Sequence, residues 1–324
     1  MIGAVDIGGT KIAAGIVNDA GKVLARLETP TENARAYPDG LRHVIHMLRE
    51  AAKKANTELS GIGIGSTGWV HPFTGEFGDV DFLPGWKGCN PVKDLAREFS
   101  VRVALENDGD ASALGEAAWG AGKGKSRLIY VTVGTGIGGG VILDGQLYRG
   151  ADRAHPEVGH HVIDAFGPEC TCGFRGCWEA LATGPAMAAW FNAKSKGSKA
   201  AKRPKRGKTR AVSARAKALS AKEIFQLAKQ GHLLAQEAVA REVHYLGLGV
   251  ANLINLFMPD RIVMGGSIMK SVDLEEIRKV VAKGCRFVPF QKTELALASL
   301  GEDANLIGAA QVWHHRFGKR AGAA

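Results

Sequence analysis

Nothing in this 324-residue chain approaches the roughly 18 consecutive apolar residues that a membrane-spanning helix needs. No basic, apolar and small-residue leader precedes the first strand pattern at Ile2–Val5 either. A membrane or secreted protein is therefore not expected, and the expected location is the cytoplasm. Cysteine is scarce, at five, and three of the five (Cys170, Cys172 and Cys177) fall within eight residues, which makes no disulfide framework for a chain of this size. Glycine is abundant, at 43, but it comes in short clusters beside apolar runs and lacks the period of collagen or the monotony of a low-complexity segment.

One long segment lacks acidic residues altogether. Between Lys194 and Lys222 there are twelve Lys or Arg and no Asp or Glu. The chain as a whole carries 42 basic against 32 acidic residues, a formal +10, and without this segment 30 against 32. The charge that would point a whole protein toward nucleic acid or an anionic surface thus belongs to a single insertion. Its Gly, Ser, Ala and Lys content and missing apolar periodicity predict a solvated loop. A polyanion-binding role, for nucleic acid or polyphosphate, is the less favoured reading beside that of a simple solvated loop.

Apolar periodicity then orders the rest. Strands are predicted at residues 2–6, 12–17 and 23–27, a helix over 38–56, and a strand at 62–65. A helix over 90–99, a strand at 101–105 and a helix over 108–119 follow. A second set of strands begins at 128–133 and 140–143, which hints at a duplicated unit. Later come helices at 186–193, 220–229 and 232–257, a strand at 261–264, a helix at 274–285, a strand at 295–298 and a closing helix at 304–317. Alternation of this kind predicts an α/β protein.

Five motifs carry chemistry. Asp6-Ile7-Gly8-Gly9-Thr10-Lys11 sits at a strand-to-strand turn, where two glycines bring backbone N–H groups up to an anion, Thr10 and Lys11 add donors, and Asp6 can hold Mg²⁺ through water. It lacks the gap and helix of a Walker A loop. Gly134, Gly136 and Gly139 satisfy the spacing of a dinucleotide fingerprint, but Val141–Tyr148 reads as a hairpin around Asp144-Gly145 where that fingerprint requires a helix. Gly134, Thr135 and Gly136 are therefore read as a second phosphate loop, and Gly265-Gly266 as a turn that accepts a nucleotide base or ribose.

Glu106-Asn107-Asp108 lies at a strand's C-terminal end, where α/β sheets open onto ligands. Asp108 is either a general base for phosphoryl transfer or a helix N-cap. Finally, His155-Pro156-Glu157-Val158-Gly159-His160-His161 precedes Cys170-Thr171-Cys172-Gly173-Phe174-Arg175-Gly176-Cys177-Trp178-Glu179. Three Cys and one His make the donor set of a closed structural Zn²⁺ site, with His160 and His161 competing for the fourth place. Glu157 and Glu179 flank the knot, which would fix both carboxylates to receive sugar hydroxyls.

From Asp6 to about Gly308 these motifs together resemble the ROK family. The resemblance implies an actin-like, ribonuclease H-like ATPase fold with two α/β domains around a cleft. It implies a small domain of 1–108 plus about 303–324, and a large domain of 109–302 bearing the zinc loop (155–179) and the basic insertion (194–222). The implied activity is ATP- and Mg²⁺-dependent phosphorylation of a hexose, glucose to glucose 6-phosphate being favoured. By position, Asp108 matches the family's base, Asn107, Glu157, His160 and Glu179 its sugar contacts, and His160, Cys170, Cys172 and Cys177 its zinc ligands. Gly8, Gly9, Thr10, Lys11, Gly134, Thr135 and Gly136 match its phosphate loops. His155-Pro156 departs from the glucokinase-like pattern toward fructokinase and mannokinase relatives, so fructose, mannose and N-acetylhexosamines stay open as acceptors. A homodimer is expected. The family's repressors offer the other class, a non-catalytic sugar-sensing regulator, but their DNA-reading domain is not expected before a phosphate loop that begins at Asp6.

Overall fold

The structure is a computed structural model that describes residues 1–201 and 218–318. Strands β1 (Ile2–Ile7), β2 (Lys11–Val17) and β3 (Val23–Pro30) form an antiparallel meander. The β2–β3 turn closes where Asn18 Oδ1 accepts from the backbone N–H groups of Ala20 and Lys22. Helix α1 (Tyr37–Lys54) leads to β4 (Gly61–Ser66), parallel to β1, and α2 (Pro91–Phe99) leads to β5 (Arg102–Asn107), parallel to β4. The first sheet therefore runs β3-β2-β1-β4-β5.

Helix α3 (Asp108–Trp119) carries the chain into a second sheet. There β6 (Leu128–Val133), β7 (Ile137–Leu143) and the short β8 (Gln146–Leu147) repeat the antiparallel meander. Helices α4 (Trp178–Leu181), α5 (Gly184–Ala201), α6 (Ala221–Lys229) and α7 (Leu233–Phe257) intervene before β9 (Arg261–Gly265), which is parallel to β6. Helix α8 (Leu274–Gly284) then leads to β10 (Glu294–Leu297), parallel to β9, and α9 (Ala304–Phe317) closes the described chain. The second sheet reads β8-β7-β6-β9-β10, the connectivity of the first. The duplication hinted at by the sequence is present in the topology.

Close helix-on-strand packing holds the two sheets to their shared helices. In β4, Ile62 and Ile64 enter a core with Val5, Ile7, Leu48 and Leu105, while the alternate glycines face the other way. A Cβ on Gly61 would stand 2.0 Å from Trp313 Nε1, and one on Gly63 1.8 Å from the Ala309 carbonyl oxygen, so α9 lies directly on the strand. Gly308 brings α9 equally close to Ala111 of α3, and Gly109 brings α3 against the Gly139 carbonyl of β7. Helix α9 thus packs on β1, β4 and β5 although it follows β10 in sequence, and α3 touches both sheets.

Two expectations are corrected here. The glycine turn before β7 is shorter than the sequence suggests, because the strand starts at Ile137 and only Gly134-Thr135-Gly136 remain in the turn. Gly139 and Gly140 are strand residues that make room for β6 and α3. The helix expected to run from 186–193 into the basic segment reaches further than expected, since α5 continues to Ala201. Ala and Lys are strong helix formers and sustain the helix without an apolar stripe. Lys194 also joins the body by pairing with Glu237 of α7 and lying 4.7 Å over the Trp190 ring. Asn192 ties the start of the segment to its end, donating to Leu219 O at 2.8 Å and accepting from Leu219 N at 2.9 Å. Residues 202–217 lie outside the described residues. No helix among the described residues is long and apolar enough to cross a membrane.

Candidate active site

Each sheet opens with a glycine hairpin at the same place in its meander. In the first, Gly8 N donates to Lys11 O at 3.1 Å, and Thr31 braces the turn from outside by donating its hydroxyl to Gly8 O at 2.6 Å. Lys11 Nζ pairs with Glu28 at 3.0 Å beside Thr10 and Gly9. In the second, Gly134 N donates to Gly136 O at 3.0 Å, and Ile137 N donates to Glu179 Oε2 at 2.9 Å. A Cβ on Gly136 would stand 2.6 Å from that same Glu179 oxygen, so a side chain there would displace the Glu179 carboxylate from Ile137 N.

The third glycine turn leans on the second hairpin. Gly266 has φ +91° and lies so close to Val133 that a Cβ would be 2.2 Å from its carbonyl oxygen. A cavity of about 350 Å³ runs along Thr132, Gly265, Gly266 and Lys270 to Asn305. A second, of about 570 Å³, is bounded by Gly134, Thr135, Pro185, Lys222 and Ser267. Asn305 Nδ2 donates to Asp6 Oδ2 at 3.0 Å, so the first hairpin's carboxylate stands at one end of this line and the α5–α6 cavity at the other.

Asp6 is buried, and that burial, reinforced by the negative charge of Asp108, pushes its carboxyl up to about 6. Asp108 opens α3. Its Oδ2 accepts from Thr67 Oγ1 at 2.5 Å and its Oδ1 from Gly109 N at 2.9 Å. The N-cap of α3 is Asn107, whose Oδ1 accepts from Gly109 N at 2.8 Å. Thr67 and Asn305 belong to this site and were missed in the sequence. Thr67 stands just past the C-terminal end of β4, a position whose polarity is a usable signal; Asn305 has none, because only the fold of α9 onto β1 delivers it.

The cysteine segment gathers as expected. Cys170, Cys172, Cys177 and His160 place one donor atom each within 4.8 Å of one another. Cys172 Sγ is 3.5 Å from Cys177 Sγ, and His160 Nδ1 is 3.5 Å from Cys170 Sγ. Metal–ligand bonds of about 2.0–2.3 Å at tetrahedral angles give edges of about 3.5 Å, so this donor set fits a tetrahedral ion. His161 turns away, its Nδ1–H donating to Val158 O at 2.6 Å and its ring packing on Trp178. The two flanking carboxylates are held differently from the expectation. Glu179, two residues after Cys177 on α4, is anchored by the Ile137 N–H. Glu157 lies three residues before His160; it is 60% exposed and steadied by His155, whose Nε2 is 3.1 Å from Glu157 Oε1. Glu116 of α3 is a structural tie that accepts from the backbones of Ala121, Ser299 and Leu300.

Two α/β domains of matching connectivity, each opening with a glycine hairpin, with an acid at the head of the helix between them, define the actin-like ATPase fold. The chain belongs to the ROK family, which it matches over residues 2–316. It is 31% identical to a glucokinase of Thermotoga maritima over 97% of both chains. It superposes on the structure of a ROK family glucokinase from Streptomyces griseus in complex with glucose and AMPPNP, with TM-score 0.75, 29% identity and coverage of 96% and 98%. It is also 30% identical to the xylose repressor of Bacillus subtilis, over 85% of this chain and 66% of that protein.

Proposed function

We propose that this protein is an ATP-dependent hexose kinase that transfers the γ-phosphoryl group of ATP to a sugar hydroxyl, with glucose giving glucose 6-phosphate. The observation that carries the reading is the environment of Asp108, held by Thr67 and the α3 N-terminus between the two glycine hairpins. Full-length similarity to glucokinases supports the same acceptor. The lobes that close on the sugar are residues 1–108 with 303–318, and residues 109–302.

Each sugar-facing side chain keeps or can release one group for the substrate after its structural bonds are made. Asn107 uses Oδ1 for its cap, and its Nδ2 donates to Ser66 O and Gly68 O at 3.5 Å each, long bonds that a sugar hydroxyl can replace. Glu179 uses Oε2 for Ile137 N and leaves Oε1 to accept, and Glu157 uses Oε1 for His155 and leaves Oε2. His160 turns Nδ1 to the thiols, which puts its proton on Nε2 as a donor. Asp108 retains lone pairs on both oxygens and takes the proton of the attacking hydroxyl as the oxygen–phosphorus bond forms and ADP leaves. Gly8, Gly9, Thr10, Lys11, Gly134, Thr135 and Gly136 orient the phosphates, and the cavity beside Gly265 and Gly266 takes the nucleoside.

Asp6 would hold Mg²⁺ through water, the cation supplying charge neutralisation that also relieves the repulsion between Asp6 and Asp108. Cys170, Cys172, Cys177 and His160 would hold Zn²⁺ as a structural ion that fixes the loop bearing Glu179. An ADP-release assay across glucose, mannose, fructose and N-acetylated hexoses tests the reading. Turnover with glucose as the best acceptor is expected. Hexose binding without any turnover would replace it with a sugar-sensing regulator, the class that the similarity to a xylose repressor favours.

A further inference from the structure

The turn that delivers Glu157 is held in an unfavourable backbone conformation. Asp152 and Arg153 lie in the left-handed region, at φ 52° and 62°, where two consecutive residues with side chains are seldom found. Gly150 N closes the turn by donating to Ala154 O at 2.7 Å, and the chain then passes directly into His155-Pro156-Glu157. Strain of this kind persists only where surrounding contacts over-determine it. Here those contacts are made to the other lobe. Arg149 donates to both oxygens of Glu106. Among the described residues Arg153 meets no carboxylate, and its guanidinium lies 4.6 Å from the centroid of the Phe73 ring.

We infer that Phe73 and Arg153 form a clasp between the lobes that positions the turn carrying Glu157 and so sets hexose affinity; the inference rests on the sugar-kinase reading above. Phe73 belongs to the lobe of residues 1–108, and its ring is 48% exposed, so core packing does not account for its place. It is instead fixed by its own lobe, where Arg316 donates to Pro72 O at 3.3 Å and stands 4.1 Å from the ring centroid. Arg149 and Arg153 of the other lobe complete the ring's surroundings. A guanidinium over an aromatic face is attracted by the ring quadrupole.

The clasp ties the two halves of the proposed sugar site at their roots. Glu106 is bonded directly to Asn107, and Arg153 stands four residues before Glu157. The Glu106–Arg149 pair is almost wholly buried, at 2% and 12% side-chain exposure, and acts as the fixed point. The Phe73–Arg153 contact is the exposed and weaker one, and it determines how firmly the turn is held before sugar arrives. Without it, sugar binding must also order the turn, and affinity falls by that cost. Asp108 keeps its separate ties to Thr67 and Gly109, so the phosphoryl-transfer step changes less.

The test compares wild type with Arg153→Ala, Phe73→Leu and the double variant, alongside Arg153→Lys, which keeps a cation, and Phe73→Tyr, which keeps a ring. It measures kcat, KM for glucose and for ATP, glucose affinity by calorimetry, and hydrogen exchange of the 154–160 amides without ligand. Arg153→Ala and Phe73→Leu should each weaken glucose binding about three- to fivefold and raise its KM alike, with kcat and the KM for ATP within about twofold of wild type. Exchange over 154–160 should quicken in both, and the Lys and Tyr variants should stay near wild type. The double variant should lose no more than either single one, because both remove the same contact. Unchanged glucose affinity and exchange in the single variants, losses that multiply in the double variant, or equal losses for glucose and ATP would overturn the inference. A wild type that turns over no hexose fails the kinase reading instead, and the exchange rates of the variants then decide the clasp.

Discussion

Asp108 sits one residue inside α3, and the cap of that helix is its neighbour Asn107. The capping role that the residue type alone allows for Asp108 is thus filled, and its carboxylate is available for chemistry. As the proposed base, Asp108 is predicted to be replaceable by Asn with little change in hexose affinity but a loss of about 10³-fold in kcat, measurable by calorimetry and steady-state kinetics in parallel. Glu242 on α7 is a different kind of buried acid. Neither of its oxygens has a partner among the described residues, and burial pushes it from its ordinary 4.5 up to about 8. Between those values the folded state keeps a proton that the unfolded chain has released, so this residue's contribution to stability falls as pH rises through the window. Glu242→Met, of similar volume, removes the titration. Its Tm should exceed that of wild type by roughly 3–6 °C at pH 8.5, with the gap shrinking toward pH 5.

At the scale of elements, packing distance decides what the pattern of residue types can only suggest. Strand β4 reads Gly-Ile-Gly-Ile-Gly, and its isoleucine face announces a core. Its glycine face turns out to receive a helix from the end of the chain. Gly63→Ala would drive a Cβ to 1.8 Å from the Ala309 carbonyl oxygen, and relief requires α9 to move off β1 and β4. A loss of about 3 kcal/mol is expected from such overpacking, read from denaturant melts as a lower midpoint. The extension of α5 into the lysine-rich segment is the opposite case, in which local helix propensity persists where apolar periodicity gives no signal.

Across the whole molecule, one ion-pair cluster joins parts that sequence keeps far apart. Glu106 is the penultimate residue of β5 in the first sheet, Arg149 follows β8 of the second, and Arg316 is the penultimate residue of α9. Both arginines converge on Glu106, which is 2% exposed. Arg149, Arg153 and Arg316 also surround the Phe73 ring, at 5.5, 4.6 and 4.1 Å from its centroid. Glu106→Gln would leave two half-buried guanidinium groups short of their countercharge. A stability loss of about 3 kcal/mol is expected, seen as a lower Tm. Arg149→Met combined with Glu106→Gln should recover part of that loss, because the double change removes a stranded charge.

Most of the elements, the α/β class and the doubled meander follow from the sequence by itself, since glycine turns, period-2 runs and helical periodicity are local signals. The sequence also determined the candidate metal donors as a set, because Cys-x-Cys-x₄-Cys beside two histidines has few other chemical uses. Residue spacing leaves the two histidines level and the family resemblance favours His160; the tertiary structure shows the physical difference between them. His160 faces the thiols while His161 bonds to Val158 O, a difference of one residue's rotation that no spacing rule contains. Thr67 and Asn305 acquire meaning only from what the fold brings beside them. The physical reason is that a local pattern fixes which backbone conformation is cheap, whereas hydrogen-bond partners, burial and the pKa shifts they cause are properties of contacts between distant segments.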